Sequence, residues 1–200
     1  MIGNLSSKIV EKLIGLSIIS DTEQELYVYG FFVLLSHILF LAITVIFGIL
    51  LDIVLASVIF YIAFQFIRRY AGGIHASSEL KCELATTLSI FLCLLCIKVC
   101  MQYNAELLIL FPTLAASFLV FFLCPLDTPE KPLTQKEKSH FRKVSRIVLF
   151  LILLVIAVSF CLKFKILMYP CSLSLILESI LLVFGKIKGV LIKKGQNEYV

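Results

Sequence analysis

Two residue types able to perform acyl transfer stand close together in the stretch Arg68-Arg69-Tyr70-Ala71-Gly72-Gly73-Ile74-His75-Ala76-Ser77-Ser78-Glu79-Leu80-Lys81-Cys82. A thiol nucleophile with a neighbouring base is the minimum for this chemistry. On one continuous helix, His75 and Cys82 would share a face but stand about 10.5 Å apart, too far for contact. Consecutive glycines break helical geometry and admit positive φ. Ser77 or Ser78 can then cap a new helix, with Cys82 in or just past its first turn. A bend at Gly72, Gly73 and around Ala76 would fold the imidazole over the sulfur. In this reading Cys82 is the nucleophile, and His75 is first a base and then the acid to a leaving amine. A helix N-terminus and the cations Arg68, Arg69 and Lys81 favour anionic sulfur chemistry in such a place. The competing reading is plain packing, the commoner use of a membrane cysteine.

The elements that must hold this pair are set by composition. Sixty per cent of the 200 residues are apolar, 16% are charged, and mean hydropathy is +1.05. A soluble domain carries about a quarter charged residues and buries only part of its surface. Lipid must therefore solvate much of this chain. A spanning helix needs about 20 apolar residues, and apolar runs occur at 31–51, 53–67, 84–101, 107–124, 147–162 and 166–185. The second and fifth are short, about 22–24 Å, and cross if flanking Arg and Lys snorkel. The expected fold is an all-α polytopic membrane domain of six spans over residues 1–200.

Residues 1–20 read as an amphipathic interfacial helix rather than a cleavable signal. Ile2, Leu5, Ile9, Leu13 and Leu16 fall on one face, with Asn4, Ser7, Lys8, Glu11 and Gly15 opposite. Ser20 with Glu23 can cap the following helix. If six spans start from an N-terminus inside, 15 of the 18 Lys and Arg residues fall on the inner side. Only Lys98, Lys163 and Lys165 lie on or near the outer side, which agrees with the positive-inside rule. Both termini are then expected in the cytoplasm. Seven cysteines, mostly within apolar spans, argue against a disulfide framework.

The segment from Arg68 to His75, with Cys82 seven positions on, resembles the signature of the accessory gene regulator B (AgrB) family. The later Cys124-Pro125-Leu126-Asp127-Thr128-Pro129-Glu130-Lys131-Pro132-Leu133 resembles that family's Pro- and Lys-containing inner loop. Length, span number and the amphipathic start also agree, so the resemblance covers nearly the whole chain. It implies a cysteine endopeptidase of the bacterial cytoplasmic membrane, acting in quorum sensing on an AgrD-type propeptide. Such an enzyme removes a C-terminal tail, holds the remainder as a thioester on its cysteine and promotes cyclisation to a thiolactone or lactone. His75 and Cys82 fall on the catalytic pair, and Arg68, Gly72 and Gly73 on supporting positions. A homodimer would fit the resemblance.

A third partner for the imidazole is open between Gln65, Glu79, Asp127 and Glu178. Glu178 lies within the last span, where a carboxylate needs a partner or water. Segment 125–146 reads as a basic cytoplasmic loop, in which Lys131, Lys136, Lys138, Arg142 and Lys143 suit an acidic substrate tail. Retention on the inner side explains the same charges equally well. Cys93, Cys96 and Cys100 are read as packing residues rather than a metal site. No cofactor, metal or nucleic acid is called for. The rival reading is a small transporter or peptide exporter, in which Glu178, Gln65 and His37 line a path and Cys82 is replaceable.

Overall fold

A computed structural model describes residues 2–73, 79–126 and 134–197. Among them the chain is helical apart from the connecting turns, with no strand. Seven α-helices follow in order: α1 (Ile2–Gly15), α2 (Gln24–Leu50), α3 (Val54–Ala71), α4 (Glu79–Tyr103), α5 (Glu106–Leu123), α6 (Gln135–Cys161) and α7 (Lys165–Asn197). Six of them, α2 to α7, are long and apolar enough to cross a membrane. The expected all-α, six-span class is what forms.

The helices run past the apolar stretches that signal them. The second span grows to 18 residues because α3 continues through Arg68 and Arg69 to Ala71. At 1.5 Å per residue that is about 27 Å, close to the thickness of a bilayer core. The fifth grows more, to the 27 residues of α6. Residues 135–146, expected within a loop, form its opening turns. The cause is local: Thr134 accepts from the Glu137 amide at 3.3 Å, and the Glu137 carboxylate accepts from the Thr134 amide at 2.8 Å. This reciprocal cap starts a helix well before the apolar stretch begins.

The chain divides into two compact units, residues 1–43 and residues 44–200. In the first, α1 buries Ser6 and Val10 while Leu5 and Leu16 stay exposed. The side turned to protein carries Ser6 and Val10, and the leucines of the apolar face read from periodicity stay outside it. Ser6 and Ser7 tolerate this because both hydroxyls donate to the Gly3 carbonyl, at 2.8 and 3.1 Å. The exposed leucines are left for lipid. Ser20 does cap the next element, but through the Thr22 amide and a short 3-10 turn, Asp21–Glu23.

In the second unit α7 is the axis. It packs against α3, α4, α5 and α6, and two-thirds of its span is buried, 67% against 17–44% for those neighbours. Met168 to Leu175 is buried on every side. Each neighbour offers a single stripe: Ala56, Phe60, Phe64, Ile67 and Ala71 on α3; Ile90, Leu94 and Ile97 on α4; Ile109, Thr113, Ala116 and Val120 on α5; Ser145, Leu149, Ile152 and Ile156 on α6. These spacings are the one-sided seams of helices packed on a partner. Small residues on the seams, including Ser172, Ser174 and Ser179 of α7 itself, allow close approach where lipid gives no hydrophobic drive. Ser174 and Ser179 hydroxyls return to their own helix, donating to the carbonyls of Cys171 and Ile176 at 2.8 Å each.

The bundle's two ends are built differently. At one end the helices are joined by the short turns 51–53, 104–105 and 162–164. Each turns on one residue in the left-handed region: Asp52 (φ 53°), Asn104 (φ 53°) and Lys163 (φ 57°). At the other end the connections between α3 and α4 and between α5 and α6 are long.

Candidate functional site

The long-connection end gathers the motif residues. Helix α3 ends where the Gly72 amide donates to the Arg68 carbonyl at 3.1 Å. Gly72 and Gly73 follow at φ 80° and 152°, conformations that glycine adopts without a Cβ clash. Arg68 points back over this turn. Its Nη1 donates to the Gly72 carbonyl at 2.8 Å. A Cβ on Gly73 would run into the guanidinium. The glycines are therefore needed twice, for φ and for room.

The second motif meets the first here. The Leu126 amide donates to the Ala71 carbonyl at 2.9 Å, and a Cβ on Gly72 would stand 3.1 Å from the Leu126 carbonyl oxygen. The peptide bond before Pro125 is cis. Cys124, 3% exposed, lies beside Ser145 of α6 and Glu178 of α7. Tyr70 meets Phe141 of α6, ring centroids 6.3 Å apart. Three further helices, α5, α6 and α7, thus converge on the end of α3.

Beneath the turn, Arg68 Nη1 is 3.7 Å from Glu178 Oε2, with the glutamate side chain fully buried. Gln65, half-buried one turn earlier, sits with the Tyr61 hydroxyl. Cys82 is the fourth residue of α4, half-buried and without a disulfide. On the opening turns of α6, Lys136, Arg142 and Lys143 are exposed and Lys138 is half-buried. Arg146 lies over the Phe121 ring at 4.2 Å from its centroid.

His75 lies outside the described residues, as do Ser77, Ser78, Asp127 and Lys131, and Glu79 is described for its backbone alone. Of the four candidates for a third partner, Glu178 is paired with Arg68 and Gln65 with Tyr61. The contact of Arg68 with Glu178, and that of Leu126 with Ala71, were not foreseen. A lone carboxylate in one apolar span and the Arg68-Arg69 pair ending another are the signal for the first. Nothing in the residues signals the second. Among the described residues no three His, Cys, Asp or Glu side chains group as metal ligands.

Six helices long and apolar enough to cross a membrane, four of them packed on the buried α7, define a multi-pass membrane protein. Residues 4–182 match the family Accessory gene regulator B, and the chain belongs to that family. AgrB-like protein 2 of Clostridium perfringens (strain 13, type A) is 28% identical over 179 residues, covering 82% of this chain and 80% of its own length. An AgrB-like protein of C. perfringens strain SM101 is 29% identical with the same coverage. No solved structure matches the chain. Family membership gives the protein a part in quorum-sensing peptide processing, with an AgrD-like propeptide as partner.

Proposed function

We propose that the protein is a membrane cysteine endopeptidase that cuts the C-terminal tail from an AgrD-type propeptide and closes the remainder into a ring. The observation that carries this reading is the local architecture around Cys82. A helix broken by Gly72 and Gly73 is followed, after the segment bearing His75, by a new helix with an unbridged, half-buried thiol in its first turn. Backbone N–H groups at such a helix start suit the negative charge of a nucleophilic sulfur.

In this reading Cys82 Sγ attacks the scissile carbonyl carbon and its proton passes to His75. The C–N bond breaks, His75 returns the proton to the leaving amine, and the acyl group remains as a thioester. A thiol or hydroxyl of the substrate then displaces Cys82 and closes the ring. With a substrate thiol, one thioester replaces another, so little energy is lost. An apolar surrounding protects the intermediate from water. In this reading the end bearing Arg68 faces the cytoplasm, which the concentration of Lys and Arg there supports, with both termini on that side. Exposed Lys136, Arg142 and Lys143, with Lys138, and with Lys131 in the preceding segment, steer the acidic tail toward the site.

Reconstitution with the propeptide followed by mass spectrometry tests the central step. Wild-type protein is expected to yield an acyl adduct on Cys82, and Cys82→Ala to release no tail. A Cys82→Ala protein that still cleaves the peptide would defeat the reading, whereas wild-type protein that releases no tail would leave peptide export as the better account.

A further inference from the structure

The Glu178 carboxylate is 0% exposed in α7, and neither of its oxygens has a hydrogen-bond donor among the described residues. A carboxylate at that depth needs compensation. Arg68 supplies charge at 3.7 Å, beyond hydrogen-bond length, yet the same Nη1 makes a 2.8 Å bond to the Gly72 carbonyl. Its shorter contact thus goes to the backbone of the turn. A Cβ on Gly73 would collide with the guanidinium, so there is no space for a side chain. Leu126 closes the turn from the other side through the Ala71 carbonyl.

A staple between α3 and α7 would need only the ion pair. This arrangement does more, because the bonded carbonyl belongs to the residue from which the His75 segment departs. We propose that Arg68 and Glu178 form a positioning pair for the catalytic segment: Glu178 holds the guanidinium, and the guanidinium fixes the backbone of Gly72 and Gly73, which the segment bearing His75 follows in sequence. Neither residue touches substrate. The proposal rests on His75 and Cys82 being the catalytic pair.

Charge and geometry are separable. Arg68→Lys keeps a cation opposite Glu178 but loses the planar fork that serves two acceptors in fixed directions. Glu178→Gln keeps shape and loses charge. The doubly exchanged protein, Arg68→Glu with Glu178→Arg, keeps an ion pair but sets an acceptor against the Gly72 carbonyl.

The full-length protein in vesicles is assayed for turnover of the propeptide and for the pH dependence of Cys82 alkylation by iodoacetamide. Arg68→Lys and Glu178→Gln are expected to lower kcat by roughly 100-fold, the scale of a 1 Å misplacement, with KM changed far less. Their alkylation profiles should move to that of His75→Ala. The exchanged protein should accumulate in the membrane yet stay as slow as the single variants. Wild-type kcat and profile in Glu178→Gln, or full turnover in the exchanged protein, would overturn the proposal. If Glu178→Gln fails to accumulate, Arg68→Lys carries the same test. Should His75→Ala leave both readouts at wild-type values, the catalytic-pair reading fails and takes this one with it.

Discussion

Each end of the bundle holds an ion pair, and the two pairs stand in opposite surroundings. At the short-turn end, Lys165 is 3.4 Å from Glu106, both about one-third exposed, and Lys165 also bonds the Asn104 side chain. At the other end Arg68 meets a glutamate with no exposure at all. An exposed pair is worth little, since water and salt compete for both partners. A buried pair is costly to assemble and worse to break, because the survivor is left charged without a partner. The contrast continues in the backbone: turns of two or three residues at one end, glycines and long connections at the other. The short-turn end is built to hold helices together. The other end carries a costly arrangement and the longer segments on which functional groups tend to sit.

The comparison can be broken at several levels, the largest first. Arg68→Ala, which strands the Glu178 carboxylate, should destabilise by about 3–5 kcal/mol, read as a fall in Tm in detergent and in membrane abundance. A loss below 1 kcal/mol would mean that the carboxylate is otherwise compensated. Gly73→Ala forces a Cβ into the guanidinium at φ 152°; a cost of about 1–3 kcal/mol and slowed processing are expected. Thr134→Ala removes the cap of α6 and should cost about 1 kcal/mol, seen as faster amide exchange confined to its first turns. Lys165→Ala at the opposite end should cost under about 1 kcal/mol and leave propeptide turnover within twofold of wild type. If Lys165→Ala proved as damaging as Arg68→Ala, the two ends would not differ as described.

Much of the architecture was legible in the residues, because lipid imposes a simple demand. Every backbone polar group must be satisfied within its own segment, so each long apolar run became a helix. The start of α4 near Ser78 and the early position of Cys82 within it followed from glycine and serine alone. Centrality was not legible. Phe and Leu are equally content against lipid or against another helix, so α7 reads much like α2, although 67% of one span and 11% of the other is buried. The serines at 172, 174 and 179 and the glutamate at 178 were the available clue. The early start of α6 was written in Thr134 and Glu137 but hidden by the charge around them. The meeting of Leu126 with Ala71 is a backbone contact between distant segments, which residue identity scarcely encodes.

Helix α6 runs unbroken from Gln135 to Cys161, so its cationic turns and its lipid-embedded turns are one rod. The bearing of Lys136 and Lys138 about that rod is therefore indexed to the bilayer by residue count. One alanine inserted between Phe141 and Arg142 would swing them around the helix by about 100° and lift them by about 1.5 Å, with no change in net charge. The same alanine placed in the segment before Thr134 would leave their azimuth untouched.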